Sequence, residues 1–213
     1  EAGSTDTFTV VLDAQPTSNV VISLSSNDGS EISIPSSLTF TTANWDTPQT
    51  VTVTGVDDSI IDGTITSTIT VAVDDANSDD DFDAIADQTV SVDTTDDDVA
   101  GFTIVELDGS TEVDESGTTD TFTVALNAQP ASDVVISLAS DDTGEATVTS
   151  TLSFTPANWD TPQTVTVTGA DDTAIDSTQT STITISIIDA ISDNSFDAVA
   201  DQTVSVDTTD DDV

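Results

Sequence analysis

The 213-residue chain has no lysine, arginine or histidine, and no cysteine, methionine or tyrosine. Each absence removes a class of chemistry. Without cysteine there is no disulfide, no thiolate nucleophile and no thiolate metal ligand, and the redox compartment leaves no mark on the sequence. Without histidine or lysine there is no imidazole metal site, no Ser–His catalytic pair and no Schiff base. A hydrolase built on paired carboxylates survives this elimination, but no acid in the sequence stands out as a proton donor, so no enzyme activity is expected. With no basic side chain, the 42 aspartates and glutamates have no side-chain counter-ion, and the formal charge is −42. Charge on this scale repels nucleic acid and anionic membranes and leaves solvent cations as the source of compensation. No leader, polybasic stretch or membrane-length apolar run is found in the sequence.

What the chain does contain is a repeat. TDTFTV at Thr5 to Val10 returns at Thr119 to Val124, and Phe82-Asp-Ala returns at Phe196, both 114 residues later. Aligned without a gap, residues 1–99 and 115–213 are identical at 69 of 99 positions. Two units of one fold are therefore expected, at 1–99 and 100–213. Residues 100–114, AGFTIVELDGSTEVD, have no counterpart before Glu1. They read as a link plus a first strand, Phe102 to Leu107, that the first unit lacks. The chain is expected to be a piece of a longer array whose neighbouring repeats are its partners, possible strand donors among them by β-strand addition.

Threonine and serine alternate with valine, isoleucine, leucine and phenylalanine through most of each unit. This period of two predicts half-buried strands and leaves little room for helix. Phe8, Val10 and Leu12 should face inward, as should Val20, Ile22 and Leu24, then Val51 and Val53, Ile69, Val71 and Val73, and Val90 and Val92. Turn signals separate these runs at Ala14 to Asn19, Ser25 to Ser30, Ala43 to Pro48, Gly55 to Gly63 and Asp74 to Asp87. If successive strands are antiparallel, Glu1, the Asp28 to Glu31 loop, the Asp57 to Asp62 loop and Asp96 to Asp98 share one end. The Gln15-Pro16 turn, the Trp45 loop and the Asp74 to Asp87 stretch share the other. Trp45 and Trp159, in identical ANWDTPQTVTVTG segments, are read as plugs closing a sandwich end, with a sugar-binding platform as the alternative.

Three acidic elements, far apart in sequence, thus meet at one end of each unit. In the first unit they are Glu1, then Asp57, Asp58 and Asp62, then Asp96, Asp97 and Asp98. In the second they are Glu115, then Asp171, Asp172 and Asp176, then Asp210, Asp211 and Asp212. Bare carboxylates so gathered repel one another, and a hard cation with six to eight oxygen ligands, Ca2+, relieves the conflict. The alternative is a solvated acidic end. A second acidic series, Asp75, Asn77, Asp79, Asp81 and Asp83, imitates the start of an EF-hand loop. It lacks the required glycine and terminal glutamate, and reads as a solvated loop.

Glu-Ser-Gly before a strand, VTVTG followed by an aspartate pair and a further acid, and the closing VSVDTTDDD resemble the Calx-beta domain and the related repeats of large bacterial surface proteins. The NWDTPQTVTVTG segment resembles the bacterial repeats in particular. That resemblance implies an all-β fold of two tandem Greek-key, immunoglobulin-like sandwiches, with calcium held by the fourteen acids just named; the alternation of strand direction adds the expectation that the two are arranged head to tail. The resemblance also implies an extracellular location and a structural role as a stiffened spacer in an adhesin or fibre. A carbohydrate- or cell-binding module using the tryptophan loops is the competing reading.

Overall fold

The computed structural model describes residues 1–212. The chain divides into two compact units, Glu1–Asp58 with Asp62–Asp97, and Ser59–Ile61 with Asp98–Val213. Each is a β-sandwich, as the alternating pattern predicts.

In the first unit, one sheet is built from β1 (Thr5–Val10), β5 (Gln49–Gly55) and β3 (Ile32–Ser33), in the order β1-β5-β3. The facing sheet runs β4 (Ser37–Phe40), β2 (Val20–Ser26), β6 (Ile65–Val73), β7 (Gln88–Thr94). The second unit repeats this plan with two further strands, β8 (Phe102–Glu106) and β9 (Thr111–Asp114). The rest are β10 (Thr119–Leu126), β11 (Val134–Ser140), β12 (Ala146–Val148), β13 (Thr151–Phe154), β14 (Gln163–Gly169), β15 (Gln179–Ile187) and β16 (Gln202–Thr209). Its sheets are ordered β12-β14-β10-β8 and β13-β11-β15-β16-β9. All pairings between these strands are antiparallel except β16 with β9.

Period-two burial is plainest in β11, where Val134, Ile136 and Leu138 are buried, and in β16, where Val204, Val206 and Thr208 are buried while Thr203, Ser205 and Asp207 are exposed. Val134, Ile136, Phe122, Phe154, Ile183 and Ile185 are all 0% exposed, and each side chain of this size contributes roughly 1.5–3 kcal/mol by leaving water. The second unit has one continuous apolar core, whereas the first has two smaller clusters.

Two segments cross from one sheet to the other. The run from Glu31 to Thr41 is two strands, because the chain crosses between sheets: β3 pairs with β5, and β4 pairs with β2. Pro35 sits at that crossing, where its missing N–H interrupts no ladder. Likewise residues 102–114 form two strands. β8 lies antiparallel on β10, and the chain then changes sheets to place β9 parallel to β16. The acidic stretches after β6 and β15 also carry short 3-10 turns, at Asp75–Asn77, Asp80–Phe82, Asp189–Ile191 and Asn194–Phe196. They fold Phe82 and Phe196 back into the cores.

Trp45 and Trp159 are half-buried against the cores. Their carbonyls accept hydrogen bonds from the amides of Leu12 at 3.2 Å and Leu126 at 3.0 Å, an arrangement suited to closing a sandwich end.

Candidate metal centre

In the second unit the end of β9 delivers Glu115, the loop after β14 delivers Asp171, Asp172 and Asp176, and the end of β16 delivers Asp210 to Asp212. The strands fix these positions: the amide of Glu115 donates to the Thr209 carbonyl at 3.1 Å. One oxygen from each of Glu115, Asp210 and Asp212 lies within 4.8 Å of the others, and Glu145, Asp172 and Asp176 form a second such set. In the first unit Glu1, Glu31, Asp58 and Asp62 make one set, and Glu1, Asp57 and Asp97 another. Oxygens about 2.3–2.6 Å from one calcium are separated from each other by no more than about 5 Å, so each set suits a single ion.

Glu115 is 1% exposed and Glu1 4% exposed, yet neither Glu115 carboxylate oxygen has a hydrogen-bond partner, nor does Oε2 of Glu1. Oε2 of Glu31, Oε2 of Glu145 and Oδ2 of Asp212 are equally buried and unpartnered. Unsatisfied buried carboxylates are expensive, and with no lysine, arginine or histidine in the chain no basic side chain can neutralise them. The acidity of these groups reflects that cost. Burial first, then the charges of Asp58, Asp62 and Asp96, push Glu1 up to about 7. Burial raises Glu115 as well, helped by Asp172, Asp210, Asp176 and Glu145. Glu31, Asp62, Glu145 and Asp212 are raised in the same way, burial leading in each case.

Asp210 has a further role. Its Oδ2 accepts from the amides of Asp176 at 2.9 Å and Ser177 at 3.0 Å, and its Oδ1 from the amide of Asp212 at 2.8 Å. These bonds lower its pKa and fasten the β14–β15 loop to the end of β16. Asp96 holds the amides of Asp62 and Gly63 in the same manner, at 3.1 and 2.9 Å. The fastened turn needs left-handed backbone, with φ +77° at Gly63 and +68° at Ser177. Glycine adopts this freely, whereas serine is strained there.

Asp171 and Asp211 belong to neither set in the second unit, though both press on Asp212 through their charge. Asp98, half-buried, falls in the second unit's share of the chain. Glu31 and Glu145 were not among the fourteen acids that the sequence singled out. A signal for them exists in the repeat itself. Between Ser25 and Pro35 the two copies agree only at Ser26, Asp28 and Glu31, matching Ser140, Asp142 and Glu145.

The second acidic series is not a solvated loop throughout. Asp79 is 6% exposed; its Oδ2 accepts from the Thr17 amide at 2.6 Å, the Thr17 hydroxyl at 2.8 Å and the Ser18 amide at 2.8 Å. These bonds pull Asp79 down to about 2, the Thr17 hydroxyl first. Asp193 does the same work for Ser132 and Ser195. Both are anchors that tie the acidic stretch to the turn after the first long strand of the repeat. Asp79→Ala strands the backbone amides of Thr17, Ser18 and Asp81, so the urea midpoint of the first unit should fall while that of the second is unchanged.

No protein-family model matches the chain, and no curated protein is similar to it. Among solved structures it is similar to the apo-form Calx CBD1 domain, at 15% identity over 54% of this chain and 100% of that one, with a TM-score of 0.39. It is similar to the calcium binding domain CBD12 of CALX1.1, at 14% identity over 87% and 74% of the two chains, with a TM-score of 0.34. It is also similar to domains 1–6 of the surface layer protein SbsC, at 17% identity and a TM-score of 0.43. There the match covers 89% of this chain and 20% of that one, so the chain spans about a fifth of that structure.

Proposed function

We propose that each unit is a structural calcium-binding repeat of an extracellular surface protein, and that the ion-loaded sandwich serves as a stiffened spacer in an adhesin or fibre. The observation that carries this reading is the set of buried, unpartnered carboxylate oxygens at the acidic end of each unit. Six to eight oxygen ligands in adaptable geometry describe calcium; magnesium demands a tighter octahedron and keeps its water. Zinc in structural sites favours sulfur and nitrogen ligands, and the chain has neither cysteine nor histidine.

The wider role rests on repetition and charge. Two units identical at 69 of 99 aligned positions suit an array in which each repeat does the same mechanical work. The absence of basic residues makes any such array dependent on solvent cations. In this reading the chain is not an enzyme, its partners are neighbouring repeats, and it contacts neither nucleic acid nor membrane.

The test is a calorimetric titration of the metal-free chain. At least one calcium per unit should bind, with magnesium weaker. Replacing Glu115 and Glu145 together, as Glu115→Gln with Glu145→Gln, should abolish the second unit's share and leave the first unit's intact. A titration unchanged by that pair of substitutions would place the ions elsewhere and sink the reading.

A further inference from the structure

Where glycine follows aspartate, the main-chain amide can attack the neighbouring side chain with little hindrance, because glycine has no Cβ to shield the nitrogen or restrict the backbone. The chain has three such pairs, Asp28-Gly29, Asp62-Gly63 and Asp108-Gly109. The first two return 114 residues later as Asp142-Thr143 and Asp176-Ser177, where a side chain on the second residue hinders the approach.

The fold treats the three pairs differently. At Asp62 the attacking nitrogen is engaged: the Gly63 amide donates to Oδ2 of Asp96 at 2.9 Å, beside the Asp62 amide at 3.1 Å, and bonds to a charged acceptor are strong. At Asp28 the carboxylate is engaged. Its Oδ1 accepts from the Ser30 hydroxyl at 2.5 Å and the Ser30 amide at 3.1 Å. These bonds, the hydroxyl first, favour the charged form and lower its pKa, whereas ring closure must expel the hydroxyl of a neutral acid.

Asp108 has neither restraint. It and Gly109 are exposed in the turn between β8 and β9. Among the described residues, neither the Asp108 carboxylate nor the Gly109 amide has a hydrogen-bond partner. Gly109 has φ +84°, and a Cβ built on it would meet nothing within 4 Å, so a ring closing there has open space around it.

We propose that the β8–β9 turn is a site of spontaneous isoaspartate formation at Asp108, from which the folded structure protects Asp28 and Asp62. The Gly109 nitrogen bonds to Cγ of Asp108 as the Cγ–OH bond breaks, and the hydroxyl leaves with the amide proton as water. The five-membered succinimide so formed then takes up one water. Opening at Cγ restores aspartate. Opening at the backbone carbonyl breaks that carbon's bond to the Gly109 nitrogen and leaves the chain running through Cβ and Cγ. Nothing is oxidised or reduced, and the product keeps the mass and charge of the original. The link between β8 and β9 gains one backbone atom, while β8 stays paired with β10 and β9 with β16.

The test incubates the full chain for weeks at mildly acidic pH, folded in one sample and in denaturant in another. Isoaspartate is located by electron-transfer fragmentation of peptic peptides, since a chain without lysine or arginine offers trypsin no site. In the folded sample it should accumulate at Asp108 more than about tenfold faster than at Asp28 or Asp62, because reaction at those two first requires a hydrogen bond to a charged group to open. In denaturant the three should react at similar rates. Asp108→Glu should abolish the folded chain's signal, because its ring would need six members. The proposal is overturned if Asp108 stays unmodified in the folded chain, if Asp28 or Asp62 reacts there as fast, or if their protection persists in denaturant.

Discussion

Raising free calcium to about a hundredfold above its dissociation constant should stabilise a unit by roughly 2.7 kcal/mol for each ion that binds only the folded state. For a domain of this size that corresponds to a rise in melting temperature of about 10–20 °C. The cause is the ion-free site itself, where Glu115 is fully buried with both carboxylate oxygens unpartnered and Glu145 lies beside it with Oε2 unpartnered. An ion removes that penalty and adds its own bonds, and unfolding scatters the ligands along some 97 residues from Glu115 to Asp212. Scanning calorimetry with calcium or chelator at fixed ionic strength measures the effect. Glu115→Gln should shrink the calcium response of the second unit while raising its metal-free stability, because a neutral amide replaces a buried charge. Equal melting temperatures with calcium and with chelator would contradict structural binding.

Without calcium, stability should fall as pH rises from about 4.5 to about 7. Glu1 has its folded-state pKa pushed up to about 7 from an ordinary value of 4.5, and Glu31, Glu115 and Glu145 move in the same direction. A group raised in the folded state holds its proton longer there than in the unfolded chain. The stability this contributes is complete below the ordinary carboxylate pKa and is lost as pH climbs through the folded value. Asp79 has the opposite sign. Held at about 2 against an ordinary 3.8, it contributes stability that is present above 3.8 and lost as pH falls toward 2. The metal-free chain should therefore be most stable near pH 4, between the two declines. Calcium reverses the neutral-side slope, because it binds the deprotonated carboxylates and displaces their protons. Urea midpoints from pH 3 to 8, in calcium-free buffer and with calcium, test both signs. A metal-free midpoint that climbs steadily to neutrality would contradict the raised glutamates.

Local pattern made much of this legible before any coordinates. Alternation of threonine with valine or isoleucine is a property of adjacent residues, and a pleated strand must place them on opposite faces. The inward set from Phe122 to Val206 followed from that rule, and so did the gathering of Glu115, Asp172 and Asp210 at one end, which needs only that successive strands reverse. The 114-residue repeat extended each inference to the other copy.

Long-range pairing decided the rest. Which sheet a short strand joins depends on partners far away in the chain: β3 and β4 are neighbours in sequence yet lie in opposite sheets, and β9 pairs in parallel with residues almost a hundred positions distant. Burial of a carboxylate is likewise a property of what packs over it. Nothing local in Glu145 distinguishes it from the exposed Asp142 nearby, and only the folded sheets put one in the site and leave the other in solvent. Asp79 is the sharpest case. It is one of a run of acids with the composition of a solvated loop, and it becomes a buried anchor because Thr17 and Ser18, more than sixty residues earlier, present their N–H groups to it. A hydrogen bond of that reach has no signature in the neighbouring sequence, since both its ends are polar residues common to every turn.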